Sequence, residues 1–228
     1  MRVIFDGLTT ILQDSGNLPT CYLAALRSLG LDLREAKRMA KDLTLLESLR
    51  RSSGRVNRVE LLREYLSERG VRPTLGDIQR AVNAFNEVWI STVTPVPGSK
   101  SLLEYLKGIG ASIGVLFIGV ESGERAPTEV LRSAGLSGLV DVSLYSGPEG
   151  WLESLKRLLS ALQGDPPDIF VTGVAERALA SSQLGLSPIF LGHRESVRRV
   201  SRASGFGELL GMLRDLSRGT VTGGRKPP

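Results

Sequence analysis

The chain carries one cysteine, Cys21, and one histidine, His193, among 228 residues. A lone cysteine excludes an internal disulfide, and the pair excludes zinc sites of the usual Cys/His kind. A Ser-His-Asp arrangement is excluded as well, unless His193 is its base. Aromatic residues make up only 5%, and none is interleaved with the basic-rich stretches 50–55 and 194–202 as in a base-stacking platform. Long apolar runs are missing, since none reaches the ~18 residues of a membrane-spanning helix. The opening Met1-Arg2-Val3-Ile4-Phe5-Asp6 meets an acid after three apolar residues, so no leader peptide is expected. Together these absences give the expectation of a reduced, cytoplasmic protein with no membrane partner. What is present is ordinary: 41% hydrophobic and 23% charged residues exclude wholesale disorder.

The formal net charge is +5, which raises the question of an anionic partner. Basic residues are mostly scattered among acids, and the two denser places are Arg50 to Arg55 and Arg194 to Arg202. A solvated face accounts for each, with nucleic-acid binding as the alternative.

The run Val3-Ile4-Phe5 ends at Asp6-Gly7, as a buried strand entering a turn would. Comparable runs recur at 113–118, 139–144, 168–171 and 188–191, and helical spacing fills most gaps between them. Leu102, Leu103 and Leu106 lead to a stop at Gly110; Glu129 to Ser133 stops at Gly135, Trp151 to Leu162 at Gly164, and Glu176 to Leu184 at Gly185. Glycine after a helix is the expected stop, because it accepts the left-handed backbone. Strands alternating with helices predict an α/β fold with a Rossmann-like parallel sheet.

Between Asp14 and Val96 the period is helical throughout, with no convincing strand. Eighty residues of helix exceed any loop. The expected organisation is an α/β core of residues 1–12 and 97–216, an all-helical cap of residues 13–96, and a disordered tail of residues 217–228. Thr92 to Gly98, rich in proline, is the expected hinge.

The stretch Phe5-Asp6-Gly7-Leu8-Thr9-Thr10-Ile11-Leu12, the helical insert, Pro95-Val96-Pro97-Gly98 with Leu102-Leu103-Glu104-Tyr105-Leu106, Leu131 to Leu136, and Val171-Thr172-Gly173 with Leu184-Gly185-Leu186 together resemble the haloacid dehalogenase superfamily, helical-cap type. The resemblance spans residues 2 to about 216. It implies an Asp nucleophile at Asp6 and a retained Thr at Thr10. It also implies that the remaining motif positions are degenerate. Leu8 stands at the second Asp, Phe117 at the Ser or Thr that holds the phosphoryl group, and a gapless count puts Glu149 at the Lys. Val174, Ala178 and Leu179 stand where the family's Mg²⁺-binding acids belong.

Phosphoryl transfer needs positive charge around the developing negative charge, so Glu149 in place of Lys turns attraction into repulsion. Glu149 is first of all expected as an acid at a helix N-terminus, favoured there by the helix dipole. If it instead lies beside Asp6 in a vacated pocket, one of the two carboxylates should titrate high. Asp6, Glu121, Glu149 and Glu176 could also collect at one sheet edge as a divalent-metal site. The leading expectation is a dehalogenase-like fold with lost or reduced hydrolase activity, serving as a binding or scaffold module without metal or cofactor, for a protein or small-molecule partner that the residues do not name. The alternative is an active phosphatase or dehalogenase with Asp6 as nucleophile, requiring Mg²⁺ in the phosphatase case. A basic nucleic-acid accessory protein is the second alternative. Trp89 and Trp151 are expected in the core or at a domain interface, and His193 at the surface.

Overall fold

A computed structural model describes residues 1–14, 16–52, 56–118, 120–121, 126–146, 149–192 and 200–222. In chain order the first elements are β1 (Arg2–Asp6), a 3₁₀ turn (Gly7–Thr9), β2 (Leu12–Asp14), α1 (Leu18–Ser28), α2 (Leu33–Ser52), β3 (Val56–Asn57), α3 (Arg58–Glu68) and α4 (Leu75–Thr92). They are followed by β4 (Val93–Pro95), α5 (Ser99–Gly108), β5 (Ser112–Phe117), β6 (Val120–Glu121), α6 (Ala126–Ser133), a second 3₁₀ turn (Ser137–Leu139) and β7 (Val142–Tyr145). The last are α7 (Trp151–Ala161), β8 (Asp168–Thr172), α8 (Ala175–Ser182), β9 (Ser187–Leu191), β10 (Ser201–Ala203) and α9 (Phe206–Thr222). Among the described residues no helix is long and apolar enough to cross a membrane.

Two compact units result. The first holds residues 1–13, 95–117 and 136–228, and the second residues 14–94 and 118–135. Residues 118–135, read from sequence as part of the sheet domain, thus pack with the helical unit. Their anchors there are the pairing of β6 with β3 and the packing of α6 on α4.

The first unit is built on a six-stranded sheet of order β10-β9-β8-β1-β5-β7. Its strand pairs are parallel. Val3, Ile4 and Phe5 of β1 are all buried, the unalternating pattern of a central strand covered on both faces. Such apolar strands draw stability from area removed from water. Gly135 and Gly185 take φ of +68° and +76° after α6 and α8, the left-handed stops expected of them.

Three sequence expectations need correction. The run 139–144 is not one strand: a 3₁₀ turn ends at Leu139 and β7 starts at Val142. Asp141 sets that start by pairing with β5, its amide donating to the Ile113 carbonyl and its carboxylate accepting from the Ile113 amide. Residues 217–222 continue α9 instead of opening a disordered tail. The short strands β2, β3, β4, β6 and β10 also went unread, and part of the expected hinge, Val93–Pro95, is the strand β4 paired with β2.

The second unit is mainly helical, with α1 packed on both α2 and α4. Its α4 begins with a reciprocal cap: Asp77 N–H donates to the Thr74 hydroxyl and Thr74 N–H to the Asp77 carboxylate, satisfying two otherwise orphaned donors. At its centre Arg58, fully buried, forms a two-pronged pair with the fully buried Glu47. The guanidinium lies 4.1 Å from the Phe85 ring centre and 4.8 Å from that of Trp89. Trp89 in turn donates from Nε1 to Asp14 at 3.0 Å, so it is a core residue of this unit.

Candidate functional site

Adjacent parallel strands β1 and β8 run in register from Arg2↔Asp168 to Phe5↔Val171. That register brings the ends of the two strands, Asp6 and Thr172, side by side. Asp6 is fully buried. Its Oδ2 accepts a hydrogen bond from the Thr172 hydroxyl at 2.8 Å and another from Arg177 Nη1 at 2.6 Å. Its Oδ1 is buried with no hydrogen-bond partner among the described residues. Arg177 stands in the first turn of α8 and keeps a side-chain exposure of 21% against 1% for Asp6. A cation at a helix start is opposed by the helix dipole, so the carboxylate beside it is what holds Arg177 in place.

The turn after β1 locks the same corner from the backbone side. Thr10 is buried, and its hydroxyl donates to the Asp6 carbonyl at 2.7 Å. The Gly173 amide donates to the Thr9 hydroxyl at 3.1 Å, and a β-carbon on Gly173 would sit 2.6 Å from the Thr9 carbonyl oxygen. Only glycine permits that approach without backbone movement.

Leu8 is half-buried in the turn. Phe117 is fully buried, edge-on to Tyr145 at 5.7 Å, and borders Gly7. Val174 is half-buried, Ala178 fully buried and Leu179 exposed. Phe117, Val174, Ala178 and Leu179 offer a bound anion or metal no side-chain donor or ligand. Trp151 stacks on Phe170 with centres 6.1 Å apart, a packing role in this unit.

Glu149 stands as a helix-start acid, not as a charge paired against Asp6. It is exposed before α7, accepting from Arg157 at 2.8 Å and from the Ser154 hydroxyl at 3.1 Å. A hydrogen bond from its own amide, helped by Arg157 and Ser154, holds its carboxyl below the usual glutamate value. The expected upward shift from a neighbouring Asp6 is therefore reversed. Stability from a carboxylate with depressed folded pKa is complete above its unfolded value and lost as pH falls through the folded one. Glu149→Lys is accordingly expected to melt lower than wild type near neutral pH, to lose that deficit on acidification, and to gain nothing from phosphate. Thermal melts across pH, with and without phosphate, check this.

The four-carboxylate metal site also fails to form. Among the described residues no three His, Cys, Asp or Glu side chains are grouped to hold a metal ion. Glu121 pairs through its backbone with Asn57 in the other unit, and Glu176 is exposed on α8. His193 and residues 194–199 of the second basic stretch lie outside the described residues, as do 53–55 of the first.

No family profile and no curated protein matches the chain. Solved structures do match it along nearly its whole length. An HAD phosphatase from Thermococcus onnurineus is 17% identical, with a TM-score of 0.60 over 93% of this chain and 97% of that one. A putative beta-phosphoglucomutase from Thermotoga maritima is 17% identical, with a TM-score of 0.57 over 95% of this chain and 100% of that one. A predicted phosphoglycolate phosphatase from Haemophilus somnus is 14% identical, with a TM-score of 0.58 over 93% and 97% respectively. The chain has the haloacid dehalogenase fold.

Within that fold, Mg²⁺ is the group the phosphatase pattern implies, and the residues here do not fit it. Magnesium demands several oxygen ligands in near-octahedral order. Asp6 Oδ2 already accepts from Thr172 and Arg177, while Val174 and Ala178 supply no oxygen from their side chains. The sequence reading passed over Arg177, which lies between two of the positions it inspected. The clue was available: an arginine at the third position of a short helix, where the dipole disfavours it, calls for an acid nearby.

Proposed function

We propose that this chain is a haloacid-dehalogenase-fold protein that has exchanged metal-dependent phosphoryl transfer for a binding role. The observation that carries this is the Arg177–Asp6 ion pair, closed on the same oxygen by Thr172. A metal-assisted nucleophile needs its cation to stabilise charge that develops on the transferring group. Here the cation belongs to the protein and is spent on the carboxylate itself. Phe117, Val174 and Ala178 add no side-chain donor to hold a phosphoryl oxygen.

A second reading rests on Asp6 Oδ1, which has no hydrogen-bond donor among the described residues and so retains its lone pairs for attack on carbon. That would be a metal-free dehalogenase reaction, with Arg177 steadying the nucleophile. One assay separates the two. Small phosphate esters, with and without Mg²⁺, and a short 2-haloacid are offered to the wild type and to Asp6→Asn. The proposed reading expects both proteins to sit at the buffer rate throughout. Halide release that needs Asp6 but no metal would favour the second reading. Mg²⁺-stimulated phosphate release lost in Asp6→Asn would contradict both.

A further inference from the structure

The exposed face of α2 is divided by chemistry. Arg34, Lys37, Arg38 and Lys41 occupy its first half and are all exposed. Leu45 and Leu49, 62% and 58% exposed, continue the face one and two turns further on. Spacings of three and four residues put these six side chains on one stripe, about 22 Å from end to end at 1.5 Å per residue. None of the four cations has an ion pair or a side-chain hydrogen bond among the described residues. Two nearby acids are engaged elsewhere: Asp42 accepts from Tyr65 and Arg69, and Asp32 from the amides of Arg34 and Glu35.

This arrangement works against the stability of α2. Arg34 with Arg38 and Lys37 with Lys41 are like charges four residues apart, which repel. They also crowd the N-terminal half of the helix, where the dipole disfavours cations. Beside the stripe, between α1 and α2, lies a cleft of about 410 Å³ whose apolar border is Pro19, Leu23 and Ala40. The same four cations line it.

We propose that this face docks an acidic amphipathic helix of a partner protein, with acids over Arg34 to Lys41 and apolar residues over Leu45 and Leu49. Charge complementarity selects the sign, and the length of the stripe matches roughly four helical turns. Nucleic acid would use the cations but not the leucines, and the stripe has no aromatic residue for base stacking. A flat bilayer would leave the recessed cleft unfilled. The docking face lies on residues separate from the Asp6 site, so either conclusion can fail without the other.

The test selects a displayed library of helical peptides on the intact chain and measures anisotropy of the enriched peptide, labelled with fluorescein. The expected winners carry acids at three- and four-residue spacing followed by leucine-like residues, and they bind less tightly as ionic strength rises. Lys37→Glu/Lys41→Glu should weaken binding by about tenfold or more, and Leu45→Gln/Leu49→Gln should weaken it by roughly severalfold. Thermal melts keep this interpretable, since acids toward the start of α2 should not lower its stability. The proposal is overturned if no peptide is enriched, if the winners lack acids, or if either variant binds as wild type does. It is equally overturned if phosphatidylserine vesicles or single-stranded DNA bind the wild type tightly and lose binding in the same variants.

Discussion

Arg177→Ala is expected to lower folding stability by about 2–4 kcal/mol, below the ~3–5 kcal/mol typical of a fully buried pair because Arg177 keeps some contact with water. The reasoning starts from Asp6, which stays fully buried when its cation is removed. Among the described residues Thr172 would remain as its one side-chain donor on Oδ2, with Oδ1 still unpartnered. An ionised carboxylate in that state is costly. Adding Asp6→Asn to Arg177→Ala removes the uncompensated charge, so the double variant should be more stable than Arg177→Ala alone. The coupling expected from the four-protein cycle is about 1–3 kcal/mol. Urea unfolding followed by circular dichroism measures it. Additive losses would mean that the two side chains do not depend on one another.

The second large effect belongs to the helical unit. Arg58→Met should cost about 3–5 kcal/mol, because Glu47 is left buried and charged without its bidentate partner. Arg58 and Glu47 both have no exposed side-chain surface, so solvent cannot take over. The pair is nonetheless imperfect, since Arg58 Nη1 is buried with no hydrogen-bond partner among the described residues. Taking two charges out of water offsets much of their mutual attraction, and an apolar pair of similar size often does as well. Glu47→Leu/Arg58→Met is therefore expected to recover most of the loss. The remainder reflects the hydrogen bond that the Tyr22 hydroxyl donates to Glu47 and the stacking of Arg58 on Phe85 and Trp89, which an apolar pair does not reproduce. If the single variant unfolds within about 1 kcal/mol of wild type, Glu47 is neutralised or hydrated more easily than its burial implies.

Features written in local pattern were legible in the sequence. Val3 to Phe5 reads as a doubly covered strand because parallel sheets leave no polar side. Gly135 and Gly185 read as helix stops because the left-handed backbone favours glycine. Asp6 was identified by its place at the end of such a strand. What escaped was set by three-dimensional pairing. β10 is three residues with two exposed, and takes its place only by pairing with β9. Glu149 was placed by counting, which gives a position in the chain but not its partner, and Arg157 lies eight residues further on. Arg177 sits 171 residues from Asp6, so only the register of β1 with β8 and the start of α8 bring the two together. The cations of α2 were passed over because Glu35, Ala36, Met39 and Ala40 separate them in sequence, while helical spacing gathers them on one face.

The most direct measurement is Mn²⁺ binding to the intact chain, followed by electron paramagnetic resonance of the free ion, in wild type and Asp6→Asn. With Arg177 as the counter-charge of Asp6, the two proteins should give superimposable titrations, with no saturable site that depends on Asp6. A single saturable Mn²⁺ site in wild type that Asp6→Asn abolishes would contradict this, because the metal would then have displaced Arg177 from the carboxylate.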